Sequence, residues 1–279
     1  MTGTLITVAP TGAEVDKGEV PALPVTLDEL VAAAVACERA GASIIHVHLR
    51  DDAAKPTLDP VRLRDAVAAL RESTDLIVQL STGGSVRDGE AARLAVLDAE
   101  PDMASCTMGT VNFGPDVFTN RWDFIVDLHE RMRDKAVVPE YELFDLGHVT
   151  SLARLLDQRG LPFGDHVHVD FVLGVPGGAP GDASTVTTFA EATARYLPEG
   201  TTFSATGIGR TTLPVMFAAI AHGGHLRVGM EDTVTFARRQ PVTGNDQLVT
   251  RAAEAAALAQ RPAITTVEAR KLLRMRDAD

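Results

Sequence analysis

Cysteine is scarce in this sequence of 279 residues, which contains only Cys37 and Cys106. Two cysteines do not make the disulfide framework of a small secreted domain, so we expect a reducing cytoplasm. The N-terminal segment MTGTLITVAPTGAEVDKGE has no basic region followed by an apolar one, so it does not resemble a secretory signal. No apolar run approaches the length of a membrane span. These absences predict a cytoplasmic protein without a membrane partner.

Positive charge is also in deficit. The chain has 26 lysines and arginines against 38 aspartates and glutamates, which gives a formal net charge of −12. Nucleic acids and anionic membranes are bound through clusters of lysine and arginine, so the charge argues against a general affinity for either. A few well-placed arginines can still bind a carboxylate, and we therefore expect small-molecule ligands.

Short β-branched segments alternate with longer amphipathic segments along the whole chain. The predicted strands cover residues 4–10, 43–51, 75–84, 136–147, 166–174, 201–209 and 225–232, and residues 102–114 are predicted to hold a short strand followed by a long loop. The predicted helices cover residues 27–41, 59–73, 87–100, 116–135, 149–160, 183–197, 211–224, 245–262 and 267–275. Asp59, Asp116 and Asn245 are the predicted caps of three of these helices.

Eight strand–helix units predict an α/β protein whose parallel sheet closes into a single (β/α)₈ TIM barrel over residues 1–279. The length suits one such domain. The alternative is an open, doubly wound sheet, but no G-x-G-x-x-G motif follows the first strand. The active site of a barrel enzyme lies at the carboxyl ends of its strands, so polar residues at those ends are the candidates for function.

The second predicted strand contains the sequence His46-Val47-His48. Residues two apart on a strand share a face, so both imidazoles point together and would supply half of a zinc site if they point into the barrel mouth. Two hydrogen-bonded core histidines are the alternative. His166 and His168 repeat the pattern on another strand, and spacing alone does not choose between the two pairs.

The segment HLRVGMED ends the eighth predicted strand. In a closed barrel this strand and the second strand both neighbour the first, so Glu231 can complete a zinc site with His46 and His48 and leave positions open. Asp232 would then point elsewhere and could pair with Arg227. Equally, the two carboxylates could belong to a solvated loop.

The segment Ser81-Thr82-Gly83-Gly84 is a candidate anion site. The hydroxyl groups and the backbone N–H groups of the glycines could face a ligand near the N-terminus of the next helix. A tight turn that needs glycine is the simpler interpretation. Cys106 has no activating motif around it and is more typical of a small buried residue than of a nucleophile.

Three further carboxylates make the expected mouth acidic. Glu140 and Glu142 share a face of one predicted strand, and Glu14 follows the first strand. They could bind a cationic group of a ligand. The simpler interpretation is that they pair with arginines of the chain, for which the candidates are Arg50, Arg210 and Arg227.

Eight segments, in order and over nearly the whole chain, resemble motifs of the β-keto acid cleavage enzymes, whose first characterised activity is 3-keto-5-aminohexanoate cleavage. They are VAPTGAE (8–14), HVHLRD (46–51), STGG (81–84), PDMASCTMGTVNFG (101–114), PEYELFDLGH (139–148), FVLGVPGG (171–178), SATGIGR (204–210) and GGHLRVGMED (223–232). Each segment is weak by itself, whereas the ordered set is highly specific.

The resemblance implies a zinc-dependent (β/α)₈ barrel with the metal on His46, His48 and Glu231, rather than on the second histidine pair. It implies that Ser81 holds the substrate carboxylate and that Arg227 and Asp232 are a catalytic pair. The expected substrate contacts are Glu14, Ser81, Thr82, Gly83, Gly84, Cys106 and Glu142. At position 106 the family often has a small hydroxyl residue, so Cys106 is a departure.

The implied reaction converts a β-keto acid and acetyl-CoA into acetoacetate and a new acyl-CoA. Zinc would polarise the ketone and stabilise the enolate, which then attacks the thioester. Arg227 is a poor base by itself, so the proton is assigned to the Arg227–Asp232 pair without choosing between them. Glu14 and Glu142 suggest an amino-bearing substrate. The resemblance also implies a homodimer or homotetramer.

Two other classes of function compete with this one. A zinc hydrolase or a C–C lyase acting on a small carbonyl acid would use similar residues without CoA. A barrel retained as a binding or scaffold protein would show no turnover. A requirement for acetyl-CoA separates the acyl transfer from the other two.

Overall fold

In a computed structural model, which describes residues 3–275, eight parallel strands close into a barrel in chain order. They are β1 (Ile6–Val8), β2 (Ile44–Val47), β3 (Ile77–Leu80), β4 (Met103–Thr107), β5 (Val138–Leu143), β6 (His168–Leu173), β7 (Thr202–Gly207) and β8 (His225–Val228). The strand β1 pairs with both β8 and β2. The predicted TIM barrel is confirmed.

Helices cover the outside of the barrel. They are α1 (Leu27–Ala40), α2 (Pro60–Ser73), α3 (Glu90–Ala95), α4 (Trp122–Asp134), α5 (Leu146–Arg159), α6 (Ala183–Tyr196), α7 (Thr212–Ala221), α8 (Asn245–Leu258) and α9 (Thr266–Leu272). The carboxylate of Asp59 accepts hydrogen bonds from the first N–H groups of α2, as predicted for a helix cap. Among residues 3–275, no helix is both long and apolar enough to cross a membrane.

The predicted helix 116–135 is wrong at its start, because Asp116 is not a helix cap. The segment Asp116–Phe118 instead pairs with Val111–Phe113 in an antiparallel hairpin. The N–H of Gly114 in its turn donates to the carbonyl of Pro176, 2.9 Å away in the loop after β6. This long-range contact fixes the hairpin over the rim of the barrel, and the helix begins only at Trp122.

Asn245 is likewise not the cap of α8, because Gly244 precedes the helix and Asn245 is its first residue. The buried amide of Asn245 accepts the N–H of Met230 at 2.8 Å and donates to the carbonyl of Pro10 at 3.1 Å. It therefore ties the loop after β8 to the loop after β1, which is a tertiary role that local helix propensity does not reveal.

The two ends of the barrel interior differ in polarity. At the amino end, the apolar side chains of Leu5, Ile44, Ile77, Met103 and Val138 form a layer that is closed by Ala269 and Leu273 at α9. Above this layer the buried interior side chains are polar, among them His46, Gln79, Glu140, Asp170 and Arg227. The outward faces of the strands pack against the helices in the main apolar core. The polar layer therefore lies between an apolar base and the open rim.

We expect Leu273→Ala to lower the free energy of unfolding by roughly 2–4 kcal/mol, because it opens a cavity in the layer that closes the barrel. Urea denaturation followed by circular dichroism measures this. Val267→Ala in α9, the helix that ends just before Leu273, is the control, since that side chain is 62% exposed and its truncation should change stability by less than about 0.5 kcal/mol. Equal losses in the two variants would contradict the assigned role of α9.

Candidate active site

His46, His48 and Glu231 meet at the carboxyl end of the barrel. The ring nitrogen Nε2 of His46 lies 3.9 Å from Oε1 of Glu231, and Nε2 of His48 lies 3.6 Å from the same oxygen. The three ligand atoms lie within 4.8 Å of one another. Zinc ligands at about 2.1 Å in a tetrahedral site lie roughly 3.4 Å apart, so this group has nearly the spacing of a zinc site.

The chemistry of these donors also suits a metal ion. His46 Nε2 and Glu231 Oε2 are buried and have no hydrogen-bond partner among the described residues, which is costly unless a ligand satisfies them. Burial is the main cause that lowers the pKa of His46 to about 4, and it also lowers the pKa of His48. Both imidazoles are therefore neutral near pH 7 and have a lone pair for a metal.

Arg227 is the charged centre beside this group. Its side chain is only 4% exposed and donates hydrogen bonds to Glu231, to Asp232 at 3.1 Å and to Glu142 at 3.4 Å. Burial by itself would lower the pKa of Arg227, but Asp232 and Glu231 raise it well above the usual value. The guanidinium therefore stays charged and orients three carboxylates at once.

The neighbouring carboxylates Glu231 and Asp232 differ in their protonation. Burial alone would raise the pKa of Glu231, but Arg227 and the two imidazoles lower it to about 2. Burial raises the pKa of Asp232 to about 7, and Arg227 opposes this rise without cancelling it. One carboxylate is thus a fixed anion, while the other can gain or lose a proton near neutral pH.

The loop from Ser81 to Gly84 lies at the same rim. Its glycine N–H is already used in part, because Gly83 N donates to Ser81 Oγ at 3.1 Å. The hydroxyl of Thr82 donates to the carbonyl of Ser105 at 2.9 Å. The next helix begins at Glu90, so a short segment separates the loop from the helix N-terminus near which it was expected.

Arg93 holds this loop in place through a hydrogen bond to its backbone. The sequence motifs did not predict this role. Arg93 is 3% exposed and donates to the carbonyls of Thr82 at 2.7 Å and Thr119 at 2.8 Å, and to the Asn120 side chain at 2.5 Å. Its guanidinium also stacks on two phenylalanine rings, those of Phe118 and Phe124. The arginine therefore joins the Ser81–Gly84 loop to the end of the 111–118 hairpin.

Cys106 is not brought to this rim. Its side chain is fully buried in the main apolar core outside the barrel, and burial raises the pKa of the thiol to about 12. This position contradicts the expected substrate contact. Ser105 and Thr107, which flank Cys106 in the sequence, lie on the opposite face of the strand and point inward. The Thr107 hydroxyl donates to Glu142 at 2.7 Å. Strand alternation was the signal that could have identified Thr107 instead.

The three acidic candidates separate in the structure. Glu142 is buried beside Arg227, whereas Glu14 is exposed on the loop after β1. Glu140 lies deeper, fully buried, with Oε2 at 3.4 Å from Nε2 of His168. Arg50 does not pair with Glu140 or Glu142; it donates to the backbone carbonyls of residues 12, 15 and 54. Among residues 3–275, Glu142 is therefore the one of the three that forms an ion pair with an arginine, as the interpretation of internal pairing expects.

The second histidine pair lies at the amino end of β6, away from the rim. His166 and His168 each hydrogen-bond to the hydroxyl of Thr202 at 2.8 Å, and His168 also contacts Ser204 at 3.1 Å. These are hydrogen-bonded core histidines. The two pairs have the same H-x-H spacing but differ in their place along the strand. His46 and His48 lie at the carboxyl end of β2, whereas His166 and His168 lie at the amino end of β6.

Fold and site together define a parallel (β/α)₈ barrel with a candidate metal centre and a buried arginine–carboxylate group at its carboxyl end. The model of the beta-keto acid cleavage enzyme family matches residues 4–275, and the chain belongs to this family.

Two relatives are similar over nearly their full length. The 3-keto-5-aminohexanoate cleavage enzyme of Fusobacterium nucleatum is 37% identical over 274 residues, which cover 98% of each chain. The 3-oxoadipate:acetyl-CoA acetyltransferase of Cupriavidus necator is 34% identical and is aligned over 96% of this chain and 94% of its own. Among solved structures, the complex of ObcA with oxaloacetate superposes with a TM-score of 0.80 at 19% identity, covering 91% of this chain and 68% of that one. This last similarity supports the fold alone.

We expect Arg93→Met to lower the free energy of unfolding by roughly 2–4 kcal/mol, because two carbonyls and one amide lose a buried partner. Hydrogen exchange should also rise in residues 81–84 and 111–118 together, since Arg93 joins these segments. Arg87→Met, at an exposed position of the same loop region, is the control and should change neither quantity. Faster exchange in only one of the two segments would argue against the bridging role.

Proposed function

We propose that this protein catalyses a zinc-dependent acyl transfer in which a β-keto acid and acetyl-CoA give acetoacetate and a new acyl-CoA. The observation that carries the proposal is the convergence of His46, His48 and Glu231 beside the Arg227–Asp232 pair at the barrel mouth. The family match supports β-keto acid cleavage, and the name of the Cupriavidus necator relative supports acetyl-CoA as the second substrate.

His46, His48 and Glu231 would hold the zinc ion, since two neutral imidazoles and one carboxylate are a common catalytic donor set with an open position. Bound zinc would supply a Lewis acid for the ketone oxygen of the substrate. The Oε1 atom of Glu231 is oriented by Arg227, which keeps this carboxylate ionised for binding. Arg227 therefore orients both Glu231, the proposed metal ligand, and Asp232, the proposed proton acceptor.

Asp232 is the proposed acceptor of the C2 proton. Its Oδ1 is held by Arg227 at 3.1 Å, while its buried Oδ2 has no partner among the described residues and can receive a proton. Arg227 keeps its own proton because carboxylates surround it. The positive guanidinium then stabilises the negative charge that develops on the substrate. Ser81 is proposed to bind the substrate carboxylate at the rim, next to Gly84; the backbone N–H groups of Thr82 and Gly83 already donate to the hydroxyl groups of Ser105 and Ser81.

An amino-bearing β-keto acid is the proposed substrate class. Glu142 is buried beside Thr107, and Glu14 is exposed on the loop after β1, so both carboxylates are candidates to contact the amino group of a substrate. The name of the Fusobacterium nucleatum relative, which refers to an aminohexanoate, supports the same class. Because much of the charge of Glu142 is compensated by Arg227, Glu14 is the freer of the two to select a cation.

We further propose a cytoplasmic homodimer or homotetramer. Cys37 and Cys106 are both free and buried, which suits a reducing compartment. Leu213 and Phe217 lie one turn apart on α7 and are 37% and 57% exposed, which makes this helix face a candidate subunit contact. Sedimentation equilibrium of the purified protein measures the number of subunits.

The metal assignment predicts that the purified protein binds about one zinc per chain and that His46→Ala loses it together with activity, because a ligand is removed. Metal content after dialysis is measured by atomic emission. His166→Ala is the matched control, because it changes one histidine of the other H-x-H pair and should keep the zinc. Zinc that remains in the His46 variant and leaves in the His166 variant would reverse the assignment.

The substrate assignment predicts acetoacetate formation that requires both acetyl-CoA and a β-keto acid, measured by chromatography over a panel of amino-bearing and neutral acids. Glu14→Gln should lower kcat/KM for the amino-bearing acids by about 3- to 10-fold, as expected for a rim charge, and should leave neutral acids unchanged. Much faster turnover of neutral acids by the unaltered enzyme would refute the amino-bearing class. Keto acid consumption without acetyl-CoA would indicate a hydrolase or a lyase instead.

A further inference from the structure

Gln79 contacts the candidate metal centre without belonging to it. It lies on β3 directly beside His46 of β2 in the strand register. Its side-chain oxygen Oε1 is 2.5 Å from Nδ1 of His46, and the two side chains are 0% and 1% exposed. The contact is therefore a buried hydrogen bond between neighbouring strands of the barrel, on the inward face.

The direction of this hydrogen bond determines the tautomer of His46. An amide oxygen only accepts, so Nδ1 must carry the proton and donate it. In a neutral imidazole the other nitrogen, Nε2, then carries the lone pair. Nε2 is the atom that lies near Glu231 and has no protein partner. The amide of Gln79 thus presents the metal-binding nitrogen of His46 toward the centre of the three-ligand group.

His48 has no comparable support. Among residues 3–275, no hydrogen bond to its ring is found, and its side chain is 10% exposed. A metal ligand whose ring is not held must lose rotational freedom when it binds, which lowers affinity. The hydrogen bond between Gln79 and His46 is therefore the contact that fixes the ring orientation of one histidine of the pair before a metal binds.

We propose that Gln79 is a positioning residue that sets the zinc affinity of this site by fixing the tautomer and ring orientation of His46. The inference rests on the proposed zinc site and goes beyond it, since Gln79 neither binds the metal nor contacts the Arg227–Asp232 pair through any hydrogen bond found among the described residues. Outer-sphere partners of this kind typically change metal affinity by about 10- to 100-fold when they are removed.

The test compares the zinc dissociation constants of the full-length protein and of three variants, measured by competition with a chromophoric chelator. Gln79→Met keeps the approximate length of the side chain but removes the acceptor. Gln79→Glu keeps an acceptor at the same reach. Thr206→Val is the matched control, because it removes another buried interior hydrogen bond, from Thr206 to Asp170 at 2.7 Å, on strands that do not neighbour β2.

We expect zinc binding to weaken by about 10- to 100-fold in Gln79→Met, and to remain at or above the unaltered affinity in Gln79→Glu and Thr206→Val. The absorption spectrum of the cobalt-substituted protein should change only in the methionine variant, since it reports ligand geometry. Urea denaturation of the metal-free proteins measures any general loss of stability, which should be similar for Gln79→Met and Thr206→Val.

The outcomes separate this inference from the proposal beneath it. If the unaltered protein binds no zinc, both are overturned. If it binds zinc that His46→Ala loses, but Gln79→Met binds equally tightly, only the role of Gln79 is refuted. The role is also refuted if Gln79→Glu weakens binding as much as Gln79→Met does, because then the acceptor is not what matters.

Discussion

The buried guanidinium of Arg227 is the interaction on which the rest of the site depends. Three carboxylates, those of Glu142, Glu231 and Asp232, lie against this one cation at the mouth of the barrel. Buried charges are tolerated only when they are paired and hydrogen-bonded. Without the arginine the carboxylates would repel one another and take up protons, so the proposed metal ligand Glu231 and the proposed proton acceptor Asp232 would both be lost.

The reach of Glu231 toward β2 depends on how closely the loops after β1 and β8 approach. A side chain at Gly229 would meet the carbonyl of Ala9 at 1.9 Å, and one at Gly12, where φ is +64°, would meet Cγ of Glu231 at 2.6 Å. The backbone N–H of Glu231 donates to Ala9 at 3.1 Å. Glycine at both positions lets the two loops touch, and Asn245 then ties them together.

The barrel interior contains many buried polar side chains, which the site uses but which contribute little hydrophobic stabilisation to the fold. Interiors of such barrels are usually filled by branched apolar residues, but here the upper layers hold buried His46, Glu140, Asp170 and Arg227. Burial, followed by the charge of Glu140, raises the pKa of Asp170 well above its usual value. The apolar layer closed by α9 lies at the amino end of the barrel, next to these groups. Its buried apolar surface stabilises the fold through the hydrophobic effect, which the polar side chains do not provide.

The sequence by itself determined the alternation of strands and helices, and therefore the barrel, because hydrophobic periodicity is a local property of the chain. It also determined that His46 and His48 share a face, since residues two apart on a strand always do. The tertiary structure alone decided that the hairpin of Asp116 is held by the loop after β6, which face of β4 points inward and therefore that Cys106 points outward, and that Arg93 and Gln79 contact the Ser81–Gly84 loop and His46. Each of these depends on a partner distant in the chain, and local sequence carries no record of which distant atoms will complete a hydrogen bond or exclude a side chain.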